Sequence, residues 1–464
     1  MVRRTPGIVG VDGANWQGGS CQMYFIRRAY LPCPKRRRGR SLTIVCVGWI
    51  LLWGQVRARP IPPIGAEAHP FPDTTDRIVV FSDQLPAANS LSPAQWRFIA
   101  DHYAGTQKET RSWAETIRKL NPHFIILHYQ LAVGAGTAAF LDGERWTNDF
   151  GYIKQHPHWF LRTADGSPIS QNVYHWDVMN ILFRNGEPIS GWPKYWVETA
   201  LQRLRDNEDD GVFADSYTQD ILMNQVNPPF AWFSHVEACK QNWIPNLNLY
   251  GAYCCKALHD QPEHFYYLPN LGGLVNAWDT TNYAVGDGGM NEGFALSGPG
   301  NYYAPSDWQL QMNRLLALIR ADKIVICQSY IRDSDYDARW FVMGSYLLIK
   351  GRHTYINMFD TSTLSWYPEY TISLGAPLSE PARTISADWD VAWGVYRRDF
   401  ARGMVLVNPD TRPVKIDLGR TEYLVEAEGG GPVPASGVPM GQLKRRPVRV
   451  VTIPSHSARI LLND

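Results

Sequence analysis

Short apolar runs rich in β-branched residues recur between residues 77 and 357, and most of the intervals between them carry apolar positions at helical spacing. The strand-like runs are Arg77 to Asp83, His102 to Thr106, Phe124 to Tyr129, Gly211 to Ser216, His264 to Leu268, Gly288 to Phe294, Lys323 to Gln328 and His353 to Asn357. A helix starts at Ser92-Pro93, where proline suits the first helical position. Further helices are predicted over Trp113 to Leu120, Trp196 to Arg205, Leu247 to Leu258, Trp308 to Arg320 and Ala338 to Ile349. Eight strands alternating with helices predict a closed parallel (β/α)8 barrel, because each crossover must leave a helix outside the sheet. A doubly wound open sheet is the other α/β arrangement, but no Gly-x-Gly-x-x-Gly follows the first strand to support it.

The period changes near residue 376. Val391 to Arg398, Gly403 to Asn408, Val414 to Leu418, Val448 to Ile453 and Ala458 to Leu462 alternate at period two. Asn408-Pro409-Asp410 and Gly429-Gly430-Gly431-Pro432 punctuate them as loops. The predicted organisation is a leader over residues 1–68, a barrel over 69–376 and a small antiparallel β-sandwich over 377–464. Gly375 to Ala387, rich in Pro, Ser and Ala, is the candidate linker.

The chain has 464 residues with 45 Lys+Arg against 44 Asp+Glu, a balance that conceals two unlike parts. Residues 1–68 hold 11 Lys/Arg and only Asp12 and Glu67 as acids, so the remainder is acidic, near −8. An acidic body has no electrostatic footprint for a phosphate backbone, which excludes nucleic acid as the expected partner. The leader reads as a secretion signal. Lys35 to Arg40 forms a basic stretch, Leu42 to Trp53 an apolar run, and Val56-Arg57-Ala58 and Ala66-Glu67-Ala68 offer small-residue cleavage sites. The run is short for a membrane span, although an uncleaved anchor stays open. The expected location is therefore secreted or periplasmic, with no membrane span in the mature chain.

Four cysteines remain after the leader: Cys239, Cys254, Cys255 and Cys327. They leave room for one bridge from Cys239 to one of the adjacent pair, and no spacing resembles a zinc site. Arg332 to Asp337 has a calcium-loop composition but lacks the glycine and terminal glutamate of such a loop, which favours a solvated acidic loop. No phosphate-binding Gly-Lys-Ser/Thr loop, Gly-x-Ser-x-Gly elbow or His-Glu-x-x-His motif occurs, and neither a cofactor nor a metal is called for. The 18 Trp and 23 Tyr suit either a sugar-binding cleft or a large aromatic core.

In a barrel, chemistry sits where the βα loops follow the strands. That rule selects Asp83 after the first strand, Tyr129 and Gln130 after the third and Asp215 at the end of the fourth. It also selects Asn270 after the fifth, Glu292 in the sixth, Gln328 and Tyr330 after the seventh, and Asn357 and Asp360 after the eighth. Asp215 ends an otherwise apolar strand and has little structural reason to be there, beyond capping the next helix or pairing with a cation. Glu292 is the second sharp candidate, its bland reading being a salt bridge at the rim. Asp287, which opens the same segment, reads as a strand-start residue.

In combination these stretches resemble bacterial glycoside hydrolases of the hypothetical glycosyl hydrolase-like barrel families. The resemblance lies in Asp210 to Ser216 (Asp-Gly-Val-Phe-Ala-Asp-Ser), in Asp287 to Phe294 (Asp-Gly-Gly-Met-Asn-Glu-Gly-Phe), and in His156 to Leu161 followed by Asp165 to Ile169. Asp177, Gly191 to Trp196 and the late Leu406-Val407-Asn408-Pro409 also fit. It covers most of residues 77–464 and implies an exported enzyme acting on glycans, with one carboxylate after strand four and another further along the barrel. Glycosidic cleavage needs that pair, one group to protonate the leaving oxygen and one to attack carbon or activate water. Asp215 is assigned as nucleophile or base and Glu292 as general acid/base. Met290 and Phe294 are candidates for the apolar setting that would keep Glu292 protonated. Related barrels with a strand-four nucleophile imply retention.

Asp83, Tyr129, Asp177, Tyr217, Asn270 and Gln328 are candidates for binding sugar hydroxyls or stacking on sugar rings. The alternative function is a non-catalytic glycan-binding or polysaccharide-handling protein on the same scaffold. The two readings part on whether Asp215 and Glu292 face each other across one pocket.

Overall fold

The computed structural model describes residues 68–136, 149–359 and 364–463. The expected leader lies outside these residues except for Ala68, as does Asp360. Eight strands form the central sheet: β1 (Val80–Ser82), β2 (Tyr103–Gln107), β3 (Ile125–Leu131), β4 (Gly211–Asp215), β5 (Tyr266–Pro269), β6 (Gly288–Glu292), β7 (Ile324–Tyr330) and β8 (Thr354–Phe359). All pair in parallel, in the order 5-4-3-2-1-8-7-6. An Asn270–Met290 bridge and the bonds Asp287 N to Tyr267 O (3.0 Å) and Leu271 N to Met290 O (2.7 Å) join β5 to β6. The sheet is thereby closed into the expected barrel.

Outside it pack α1 (Pro93–His102), α2 (Arg111–Arg118), α3 (Trp192–Asn207), α4 (Ile244–His259), α5 (Pro305–Arg320) and α6 (Tyr336–Ile349). The start of α1 follows from its sequence: the Ser92 hydroxyl accepts from Gln95 N while the Gln95 side chain accepts from Ser92 N. No helix bridges β5 and β6, whose connection over 270–287 is made of turns. Between β3 and α3 the chain makes an excursion that holds the small pairs Gly134–Ala135, Ser170–Gln171 and Asp177–Val178. The Trp159 and Gly191 stretches belong to it, with a Cβ on Gly191 falling 2.3 Å from the Trp159 indole nitrogen.

Alternation along each strand sends one set of side chains inward and the other towards the helices. Phe81, Leu127, Phe213, Leu268, Met290, Ile326 and Tyr355 fill the barrel, and Phe71 plugs its floor against Phe81, Tyr266 and Tyr355. The abundant tryptophans serve the core, since Trp113, Trp176, Trp192, Trp196, Trp243 and Trp308 are all fully buried. The four described cysteines are buried free thiols, so the disulfide left open by the sequence is absent among the described residues.

Both acid-bearing stretches place one acid at each end of a five-residue strand, roughly 16 Å apart at about 3.3 Å per residue. The lower acids are structural. Asp210 accepts from His69 N (2.9 Å), Ile126 N (2.8 Å) and Arg118 (2.8 Å), and it pairs with the His69 ring at 2.7 Å. Asp287 accepts from Tyr267 N (2.8 Å) and pairs with His259 Nε2 at 2.9 Å. These contacts tie neighbouring strands together at the floor of the barrel, away from the mouth.

The C-terminal antiparallel sheet comprises β9 (Trp389–Asp390), β10 (Val395–Phe400), β11 (Gly403–Asn408), β12 (Val414–Gly429), β13 (Gly441–Ile453) and β14 (Ser457–Leu462), in the order 9-10-11-14-12-13. Its strands depart from the alternating pattern in two places. Val391 to Gly394 is a turn, because the Asp390 carboxylate accepts from the backbone of Ala392 and Trp393 (both 3.0 Å). The hairpin β12–β13 runs far beyond the apolar alternation, since its exposed part is held by cross-strand ion pairs such as Arg446–Glu426 (3.0 Å) and Lys444–Glu428 (2.5 Å). One face of the sheet packs Val405, Val407, Ala458 and Ile460 into the cluster that contains α6. The other packs Met404, Leu406 and Leu461 against Ile416, Val451 and Ile453 of the hairpin.

Asp210→Ala is expected to cost about 3–5 kcal/mol of unfolding free energy, because it leaves the Arg118 charge without its counter-ion and the N–H groups of His69 and Ile126 without their acceptor in the floor. Chemical denaturation measures this, and a loss below about 1 kcal/mol would mean the floor does not depend on that carboxylate.

Candidate active site

The barrel mouth is built by the strand ends, where the inward-facing positions turn from apolar to polar. From β4, Asp215 accepts hydrogen bonds from the Tyr129 hydroxyl at 2.6 Å, Asn270 Nδ2 at 2.9 Å and Ser216 N at 2.7 Å. From β6, Glu292 accepts from the same Asn270 nitrogen at 2.8 Å and from the Tyr330 hydroxyl. Tyr330 in turn accepts from Gln328 Nε2 at 3.4 Å, and Asn357 donates to the other end of Gln328 at 2.9 Å. The network thus passes through β3, β4, β6, β7 and β8 as well as the end of β5. Each acid is followed at once by a residue in the left-handed region, Ser216 at φ 57° and Gly293 at φ 82°, so the chain leaves the mouth abruptly.

On the opposite side stands Asp83, just past β1. It accepts from Gln107 Nε2 and forms an ion pair with Lys108 Nζ at 2.7 Å. Lys108 also lies 5.4 Å from the Tyr129 ring centroid and 5.7 Å from that of Phe213.

The central geometric fact is the shared amide. Two oxygens accepting from the two protons of one NH2 group, which diverge by ~120°, lie about 5 Å apart. Asp215 and Glu292 therefore face each other across a narrow gap, with Asp215 only 7% exposed. Burial first, then the like charges of Asp215 and Asp83, raise the Glu292 carboxyl above its ordinary 4.5; Lys108 and Tyr330 pull the other way without reversing the shift. Burial and the same acids push the Tyr129 and Tyr330 phenols well above 10, so both remain hydrogen-bond donors. Of the two apolar neighbours expected around Glu292, Met290 lies on the same inward face, whereas Phe294 packs into the outer core.

Eight residues selected from the sequence meet here: Asp83, Tyr129, Asp215, Asn270, Glu292, Gln328, Tyr330 and Asn357. Three do not join their hydrogen bonds, the first being Gln130, which donates to Trp196 O at 3.0 Å on the helix side of β3. Tyr217 is fully buried behind β4 and donates to Leu247 O at 2.8 Å, anchoring α4. Asp177 lies in the β3–α3 excursion, where it accepts from Ser170 Oγ. Gln107 and Lys108 are not among the residues the sequence selects, because its second strand-like run ends at Thr106, one residue short of the end of β2. The signal was the polar run Thr106 to Thr110 following an inward-facing glycine. A further acidic pair, Asp220 and Asp279, lies in the loops after β4 and β5. Burial, then Asp279, pushes Asp220 up to about 7.

A family model described as hypothetical glycosyl hydrolase family 15 matches residues 118–404. The chain belongs to this family. The matched region takes in Asp215, Asn270 and Glu292 and leaves out Asp83 and Lys108. No curated protein matches the chain. Among solved structures, the glycoside hydrolase domain of PelA from Pseudomonas aeruginosa is similar over 62% of this chain and 97% of its own, at 13% identity and a TM-score of 0.40. A pullulanase from Bacillus acidopullulyticus is similar over 86% of this chain and 62% of its own, at 11% identity and a TM-score of 0.39. Amy13B from Eubacterium rectale is similar over 85% and 97% respectively, at 7% identity and a TM-score of 0.39. Among the described residues no helix is long and apolar enough to cross a membrane.

The raised Glu292 has a consequence for stability. Below its ordinary value near 4.5 the group is protonated in both states; as pH rises from there towards the raised folded value only the unfolded state ionises and stability falls, with the full cost present above the folded value. Glu292→Gln is therefore expected to stabilise the protein at pH 8, by about 1.4 kcal/mol for each pH unit of elevation, and to have no such effect at pH 4. Melting curves at the two pH values check this, and equal shifts at both would refute it.

Proposed function

We propose that this family member hydrolyses O-glycosidic bonds in an oligo- or polysaccharide with retention of anomeric configuration. The observation that carries the reading is the Asn270 amide nitrogen that donates to both Asp215 and Glu292; acceptors on one NH2 lie about 5 Å apart, which supports the close pairing of about 5–5.5 Å used in double displacement over the 6.5–9.5 Å that leaves room for a water. In the first step Asp215 attacks the anomeric carbon while Glu292 gives its proton to the departing glycosidic oxygen. In the second, Glu292 takes a proton from water, whose oxygen displaces Asp215 from the glycosyl-enzyme.

The environments favour this division of roles. Glu292 has its carboxyl raised towards neutrality and so can hold a proton to donate. Asp215 has three converging donors, which compensate its charge and fix its orientation. A non-catalytic glycan-binding barrel needs no such pair, and neither acid here is drawn off into an ion pair away from the mouth. Carbohydrate is accordingly the proposed substrate. The leader's basic stretch and apolar run support a secreted or periplasmic location.

Release of reducing ends from a broad panel of polysaccharides and aryl glycosides is expected for the wild type. It should fall about a thousandfold or more in both Asp215→Asn and Glu292→Gln. Proton NMR of the first-formed product should show the substrate's own anomer. The alkaline limb of kcat/KM should lie above the ordinary glutamate range, since Glu292 must enter the reaction protonated. Activity that survives both substitutions would overturn the assignment, and an inverted first product would overturn retention.

A further inference from the structure

Lys108 has an awkward position for an ordinary lysine. It follows β2 directly with φ 70°, a conformation that residues with a side chain adopt rarely and that concentrates at functional sites. Its ammonium is taken into the mouth, 2.7 Å from Asp83 and beside the ring of Tyr129, the residue whose hydroxyl holds Asp215. We propose that Lys108, anchored by Asp83, is a positioning residue for the carboxyl pair, its fixed positive charge setting the pH range over which Glu292 serves as an acid. The inference rests on the proposed role of that pair.

The charged and titratable groups around Glu292 come from each neighbouring strand end: Asp215 from β4, Asp83 after β1, Lys108 after β2, Tyr330 from β7 and Tyr129 from β3. The two phenols stay neutral, so among the described residues Asp215 and Asp83 raise the Glu292 carboxyl and Lys108 lowers it. Burial alone would lower the Lys108 ammonium, but Asp83, Glu292 and Asp215 together outweigh burial and raise it, so Lys108 is charged wherever the enzyme works. Asp83 supplies the anchor and opposes Lys108 electrostatically at Glu292, because the two charges have opposite signs there. This yields paired expectations that a purely structural lysine does not. Removing the cation makes Glu292 a weaker acid; removing the Asp83 charge makes it a stronger one.

The test is a titration of Glu292 itself, followed by carbon NMR on protein labelled at the glutamate carboxyl and identified by the resonance missing in Glu292→Gln. Lys108→Met should raise the midpoint by about one pH unit or more, Asp83→Asn should lower it, and Lys108→Arg should leave it near the wild type. The alkaline limb of the pH–rate profile should move with each midpoint. Melting curves verify that each variant is folded, and Lys108→Arg carries the comparison should Lys108→Met fail to fold. In that case a wild-type midpoint in Lys108→Arg together with a lowered one in Asp83→Asn supports the proposal. Midpoints in Lys108→Met and Asp83→Asn that match the wild type, or that move in the same direction, would overturn it. If the wild type cleaves no glycan, the hydrolase reading fails separately, since the titration needs no turnover.

Discussion

Two carboxyl groups brought within a few ångströms of each other in a half-buried mouth repel and lose hydration, and neither cost is met unless donors stand between and around them. Here the donor between them is one primary amide. Asn270 supplies a proton to each acid, and Tyr129 and Tyr330 approach from the outer sides. An amide is suited to that place because its two protons diverge and neither titrates. The barrel makes the arrangement available, since closing β5 onto β6 at Asn270 and Met290 puts the amide between the two acid-bearing strands. Without that closure the carboxylates would sit on separate edges of an open sheet.

The same strands carry a division of labour from end to end. Asp210 and Asp287 satisfy backbone N–H groups of neighbouring strands at the floor, whereas Asp215 and Glu292 face the gap at the top. The apolar residues between, Phe213 and Met290 among them, keep the two ends electrically separate. A sequence pattern of acid, apolar strand, acid therefore places one carboxylate at the floor and one at the mouth, distinguished only by chain direction.

Much of this was legible in the chain because barrels impose direction on function. Eight strands were recognisable by period, and taking the residue at the end of each strand reached Asp83, Tyr129, Asp215, Asn270, Glu292 and Gln328 without any knowledge of contacts. The rule failed where its premise failed. β2 is short and polar at its end, so Gln107 and Lys108 were passed over. Tyr217 lies two residues beyond Asp215, but the left-handed turn at Ser216 redirects the chain and sends its ring under α4. Asp177 belongs to a loop excursion with no period, where side-chain direction depends on pairings invisible in the sequence. In the C-terminal sheet, alternating charges disguise most of a long hairpin, whose outer part carries exposed cross-strand ion pairs beside its backbone ladder.

The helix α6 deserves a different kind of reading, as a statement about inheritance. Every residue from Ala338 to Ile349 is buried, so this helix has no outer face. The barrel covers one side, and β11 and β14 of the C-terminal sheet cover the other. The sheet is thus a section of the barrel's outer wall, unlike an appended module that can be shuffled between proteins. A descendant of this chain would have to keep barrel and sheet together.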